Sequence, residues 1–159
     1  MGKFRIVPLS AAYAKSIRNK RIDDFGHEVI EQLATGLGPC RVSLKPFKRN
    51  IDKRFLFTHS PFEIENAYNQ PGPVFINADE VNAYDDVHRF PPEIKAYKEH
   101  FHLTLVGYNY EQMMVFTQLV GDADVDELIV KIFDEHENVA YLHARSAEAC
   151  CYICKIERV

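Results

Sequence analysis

The residues best equipped for chemistry crowd the C-terminal end of the chain. His143 and Arg145 are followed, after Ser146 to Ala149, by Cys150, Cys151 and Cys154, three of the four cysteines in the sequence. An imidazole, a guanidinium and a thiol on one surface could hold an anion, or favour a thiolate and make it a nucleophile. Cys151-Tyr152-Ile153-Cys154 also has the C-x-x-C spacing of a zinc site or a redox dithiol. On a continuous strand those two thiols point to opposite faces, whereas zinc and dithiol motifs use that spacing on a turn or a helix start. No metal and no cofactor is expected there.

Which of these side chains can act together depends on the pairing of two strands, roughly Val139–Arg145 and Cys150–Glu157. Pairing Arg145 with Cys150 mixes polar and apolar side chains on both faces. Pairing Arg145 with Cys151 collects Ala140, Leu142, Ala144, Cys150, Tyr152, Cys154 and Ile156 on one apolar face. The other face then carries Tyr141, His143, Arg145, Cys151, Ile153, Lys155 and Glu157. Binary patterning selects the second register. It sends Cys150 and Cys154 inward and leaves Cys151 beside Arg145 and His143.

Other chemical signals are weaker. His100 and His102 have metal-compatible spacing but no evident third ligand. Asp79-Glu80 and Asp85-Asp86 lack the spacing and central glycine of a calcium loop. Walker, G-x-G-x-x-G, G-x-S-x-G and H-E-x-x-H patterns do not occur.

The bulk composition says what kind of chain must position these groups. At 159 residues, 47% hydrophobic and 26% charged, with eleven Phe and eight Tyr, it is a single globular domain over 1–159. A net charge of -4 argues against binding nucleic acid by bulk electrostatics. The basic run of Lys45, Lys48, Arg49, Lys53 and Arg54 reads as a solvated loop. No run approaches the roughly 18 apolar residues of a membrane span, and the N-terminus lacks a signal-peptide pattern. Clustered cysteines without such a signal point to reduced thiols in a cytoplasm.

In order, Lys3–Leu9 reads as a strand, and Ser10 caps a helix from Ala11 to about Asn19. His27–Ala34 has Val29, Ile30 and Leu33 at helical spacing and is expected to be a second helix, stopped by Gly36 and Gly38. Pro39–Leu44 is expected to be extended. Arg54–His59 and Val74–Ile76 read as buried strands around the turn Asn69–Pro73. Pro91-Pro92 opens a short helix to about His100. His102–Tyr108 and Met113–Val120 form a hairpin, and Asp124 with Glu127 caps a helix burying Val125, Leu128, Ile129, Ile132 and Phe133. The class is α+β: one domain, a mostly antiparallel sheet with a C-terminal β-hairpin, and three to four helices packed on it.

Four short stretches, in this order and spacing, carry a resemblance. They are Gly38-Pro39-Cys40-Arg41, Ser60-Pro61-Phe62, Gly72-Pro73-Val74-Phe75-Ile76, and Leu142-His143-Ala144-Arg145 with Cys151-Tyr152. Together they resemble a bacterial family of single-domain proteins, the domain of unknown function numbered 1203 (DUF1203). The resemblance covers nearly the whole chain and brings no activity with it. The family pattern follows Pro-Cys-Arg with His-Cys, where this chain has Val42-Ser43, which counts against a metal site there. Its terminal pattern has Asn and Gly where this chain has Ser146 and Cys150, so the matching cysteine is Cys151.

Two arginines in the two best-matching motifs of an acidic protein suggest a small anionic ligand. The expected ligand-binding residues are Arg41, His143, Arg145 and Cys40, with no nucleic acid and no membrane as partner. One alternative is a thiol-dependent enzyme or redox sensor with Cys151 as the catalytic group, helped by Cys40 and His143. The other is a structural or partner-binding module without a small-molecule site.

Overall fold

A computed structural model describes residues 2–159. Eight strands and three helices follow one another as β1 (Phe4–Val7), α1 (Ala11–Lys20), β2 (Ile30–Leu33), β3 (Lys53–His59), β4 (Gly72–Asn77), α2 (Pro92–Ala96), β5 (Leu103–Tyr108), β6 (Met114–Leu119), α3 (Val125–Glu135), β7 (Tyr141–Ser146) and β8 (Tyr152–Arg158). The strands form two antiparallel sheets rather than one: five strands in the order β1-β8-β7-β5-β6, and three in the order β2-β3-β4. The expected α+β class holds, with the terminal hairpin β7–β8 at the heart of the larger sheet.

Each sheet has its own core. α3 lays Val125, Leu128, Ile129, Ile132 and Phe133 on one face of the larger sheet, against Leu105, Leu142, Ala144, Cys154 and Ile156. Its cap is the expected one, with Asp124 accepting the Glu127 N–H at 3.1 Å and two acids in the first turn facing the positive helix end. Lys95 of α2 bridges Asp124 and Asp126 at 2.6 and 2.7 Å and fixes the two helices together. α1, capped by Ser10, buries Ala14 and Ile17 against Phe55, Phe57, Val74 and Ile76 of the smaller sheet.

Two local expectations fail. Residues 27–34 are not a helix: Ile30–Leu33 is β2, paired with Leu56 to Lys53 of β3. Its helical-looking apolar residues do not form a buried stripe, since Ile30 and Leu33 stay about half exposed and only Val29 is buried. The edge of β3 supplies backbone partners that a local spacing rule does not weigh. Residues 39–44 are a buried turn rather than extended chain, closed by the Leu44 N–H on the Cys40 carbonyl, with Leu44 at φ 54°. This turn ties the sheets together. Arg41 donates its backbone N–H to Phe75 of β4 at 3.0 Å and its Nε to the Tyr152 carbonyl of β8 at 2.6 Å.

A closed polar chamber between the sheets

The face of the larger sheet turned away from α3 carries the predicted site. Strand alternation places His143 beside Val106 and Lys155, and Arg145 beside Thr104 and Tyr152. Tyr141 stands opposite Tyr108 on one side and Glu157 on the other. The 60–71 segment crosses this face and lays Phe62 over Tyr108 and His143, with both ring-centroid distances 5.1 Å. The segment is tied to the β5–β6 turn by the Glu63 N–H on Gln112 Oε1 and by Asn66 Nδ2 on the Gln112 carbonyl. His59, at the end of β3, closes the side toward the smaller sheet, 6.0 Å from the Tyr152 ring.

The terminal hairpin is in neither of the two registers considered from the sequence. Leu142 pairs with Ile156 and Ala144 with Cys154, but Arg145 pairs with Tyr152. The skipped residue, Ile153, makes a β-bulge in which two residues of β8 oppose one of β7. Leu142, Ala144, Cys154 and Ile156 keep the apolar face expected for them. Beyond the bulge the expectation inverts: Ile153 joins the core, while Tyr152 turns to His143, 5.0 Å away, and to the Arg145 guanidinium, 5.9 Å from its ring. Cys151 accordingly leaves that face. It is half-buried and lines a cleft of about 410 Å³ with Arg41, Phe75, Ser146 and Ile153.

Cys150 is not inward as expected but exposed, in the turn, at φ 62°. That is the left-handed region, which favours glycine, and glycine is the residue the family pattern has at this point. Cys150→Gly should therefore leave stability unchanged or raise it by up to about 1 kcal/mol, while the β-branched Cys150→Val should lose at least as much. Urea unfolding of the two variants beside the parent checks the sign.

Polar satisfaction divides the three buried arginines. Arg54 donates to Gln32 Oε1 at 3.0 Å and stacks 3.8 Å over Phe75. Arg41 gives Nε to the Tyr152 carbonyl and Nη1 to the Pro39 carbonyl, and burial pushes its pKa down to about 10, so it stays charged at neutral pH. Arg145 gives Nη1 to the Cys150 carbonyl at 3.0 Å, but its Nε and Nη2 are buried without a protein acceptor. Among the described residues, none of the three meets a carboxylate.

Among the described residues eight buried side-chain atoms lack a partner, and all but Arg18 Nη2 and Asn69 Oδ1 belong to Arg145 and the groups around it. Both ring nitrogens of His143, the Tyr108 hydroxyl and Nδ1 of His59 are buried without partners. The Tyr108 hydroxyl lies beside the Arg145 guanidinium without a well-directed bond to it, and burial raises its pKa against the pull of that cation. Burial holds His143 well below the ordinary histidine range, with Arg145, Lys155 and His59 adding to the effect. His143 is therefore neutral, with one N–H to give and one lone pair to receive. Burial likewise pushes His59 down to about 4, against Asp24 and together with Arg41. A buried cation costs several kcal/mol unless its donors are met, so such a cluster is costly without an acceptor.

The structure thus separates the expected site residues. Arg145 and His143 share the chamber. Arg41 is the clamp behind it and also reaches the Cys151 cleft. Cys40 is wholly buried in the smaller core, its sulfur accepting the Asn77 N–H at 3.4 Å. The sequence reading set Tyr141 on the face of His143, where it lies 5.3 Å from that ring, but missed His59 and Tyr108 and placed Tyr152 on the wrong face. Among the described residues no three metal-ligating side chains come together, and no helix is long and apolar enough to cross a membrane.

Fold and site together describe an α+β domain with a cation-bearing cluster of buried and half-buried polar groups between two antiparallel sheets. The family model described as "Protein of unknown function (DUF1203)" matches residues 38–158, and the chain belongs to that family. The match includes the 39–44 turn, the 60–71 segment and the terminal hairpin, and so all the residues of the chamber. No curated protein and no solved structure matches the chain.

Proposed function

We propose that this protein is a cytoplasmic binding domain for a small carboxylate- or phosphate-bearing molecule, held at Arg145. The observation that carries this reading is the pair of buried N–H groups on Arg145, Nε and Nη2, with no protein acceptor. They are adjacent donors of one planar fork, the geometry that grips two oxygens of a carboxylate or phosphate. Neutral His143 and the Tyr108 hydroxyl add donors that cost no further charge. Arg41 serves from behind, fixing Tyr152 by its carbonyl and contributing positive potential, and Cys40 helps to hold the turn that carries Arg41. Four free thiols are in keeping with a reducing compartment. Arg145, His143, Tyr108 and Tyr152 are buried while His59 and Tyr141 are half-buried at the rim, so exchange with solvent runs past the 60–71 segment, which Phe62 anchors.

Thermal unfolding against a panel of inorganic phosphate, acetate, citrate and phosphorylated metabolites tests this. A ligand at about ten times its dissociation constant adds about 1.4 kcal/mol, or roughly 3–6 °C for a domain of this size. Arg145→Gln should abolish that rise. It should also leave the ligand-free protein as stable as the parent or more so, because it removes a buried charge that is only partly satisfied. A rise that survives Arg145→Gln, or no rise across the panel, overturns the reading. A strong loss of ligand-free stability in Arg145→Gln would mark a structural arginine instead.

A second reading keeps one observation, the half-buried Cys151 in a cleft shared with Arg41. A thiol-dependent site there predicts that iodoacetamide modifies Cys151 faster than the more exposed Cys150. The opposite order ends it.

A further inference from the structure

The two sheets have four free edges, and three of them are blocked. β1 has four residues, ends at Pro8, and is covered by the Ile6 N–H on the Val87 carbonyl and by His88 on the Phe4 carbonyl. β4 contains Pro73, and the 39–41 turn occupies its outer side through the Arg41 N–H on Phe75 and the Asn77 N–H on Cys40. β2 has four residues and carries Glu31 at its middle. Proline, charge, short length and a covering loop are the usual ways a sheet edge is kept from pairing.

β6 has none of these. From Met113 to Val120 the sequence MMVFTQLV holds no charge and no proline. Val115 and Leu119 are exposed, Leu119 by 66%. The Val120 N–H bonds the Leu103 carbonyl of β5, and Gln118 pairs with Leu105. By the alternation of an antiparallel ladder, the N–H and C=O groups of the intervening Leu119, and of Thr117, aim away from β5. Among the described residues, no side chain or loop hydrogen bonds to them.

We infer that β6 is the dimerisation edge of this protein, pairing antiparallel with β6 of a second copy to join two five-stranded sheets into one. A two-fold axis beside Gln118 sets Leu119 against Thr117 of the partner subunit and Thr117 against Leu119 of the partner subunit. Each pair exchanges two backbone hydrogen bonds. The uncharged strand suits self-pairing because like charges directly opposed would be costly. In this register the flanking Asp122 falls opposite Met114 of the partner subunit, so acid does not meet acid. One strand pair buries less than the roughly 1,600 Å² of a standard interface, so association belongs in the micromolar range.

Sedimentation equilibrium from about 5 to about 500 µM tests this, the range being set by the micromolar affinity expected of so small an interface. The weight-average mass should climb from 18.4 kDa toward twice that value. Thr117→Lys places an ammonium opposite Leu119 of the partner subunit and diagonal to its own symmetry mate, and should hold the mass at the monomer, as should Val115→Lys made separately. Either variant remains informative if the other folds poorly. Exchange of the Thr117 and Leu119 amides, followed by NMR, should slow as concentration rises. A protein that stays monomeric with unprotected amides overturns the inference, and so does a dimer indifferent to both substitutions.

Discussion

Acidification from pH 7 to 5 should destabilise the protein by about 2 kcal/mol through His59 alone, with His143 adding to the loss. Both rings are neutral in the folded protein, because burial holds His59 down to about 4 and His143 well below its ordinary range. In the unfolded chain they take up protons near pH 6.5. The unfolded state therefore binds more protons below that point, and stability falls as pH drops from about 6.5 toward the folded values. Asp23, Asp124 and Glu157 are held below the ordinary carboxylate range, so their share is lost only below about pH 4. Urea unfolding at pH 7, 6 and 5 reads the slope, and His59→Gln with His143→Gln should flatten it. An unchanged midpoint across that window would mean the rings are already charged in the native state.

Asp23→Ala should cost about 3 kcal/mol or more, the largest loss expected from one polar side chain in the molecule. This buried carboxylate accepts backbone N–H groups from Phe25 and His27 at 2.9 Å and from Thr58 at 2.8 Å. Burial alone would raise its pKa, but these three donors outweigh it and the net shift is downward. Alanine leaves three donors unmet at the point where the 23–27 turn is fastened to β3. Asp23→Asn keeps one oxygen for Phe25 and His27 and turns a competing donor toward Thr58, so an intermediate loss is expected. Chemical unfolding of both variants gives the comparison: equal losses would show that the Phe25 and His27 bonds carry nothing, and no loss in Asp23→Asn that the Thr58 bond carries nothing.

What the sequence made legible was whatever depends on neighbours within about two turns. Ser10 and Asp124 act through side-chain bonds to residues three positions on, and α1 and α3 follow from them. The β5–β6 hairpin and the apolar face of Leu142, Ala144, Cys154 and Ile156 depend only on short-range alternation. Where the structure departs, distant chain decides. Residues 30–33 become a strand because β3, more than twenty residues on, offers its edge. Residues 39–44 turn inward because Arg41 finds an acceptor on β8, the Tyr152 carbonyl. Arg145 and His143 were visible as chemistry, and they do share a chamber. Tyr108 and His59 could not be assigned to it, because their place depends on how β5 and β3 lie against β7 and β8.

Because Ile153 is the surplus residue of β8, the strand carries two phases of one two-residue repeat. An inserted or deleted residue in a strand ordinarily sends every side chain beyond it to the opposite face. Here the slip is already present and confined to one position, with two core side chains in succession, Ile153 and Cys154, before Tyr152 turns outward. A chain lacking Ile153 would resume plain alternation with Tyr152 still facing Arg145. Length variation at this spot would then thin the core and leave the polar groups around Arg145 unchanged, so that chains one residue apart in length here would present the same side chains on that face.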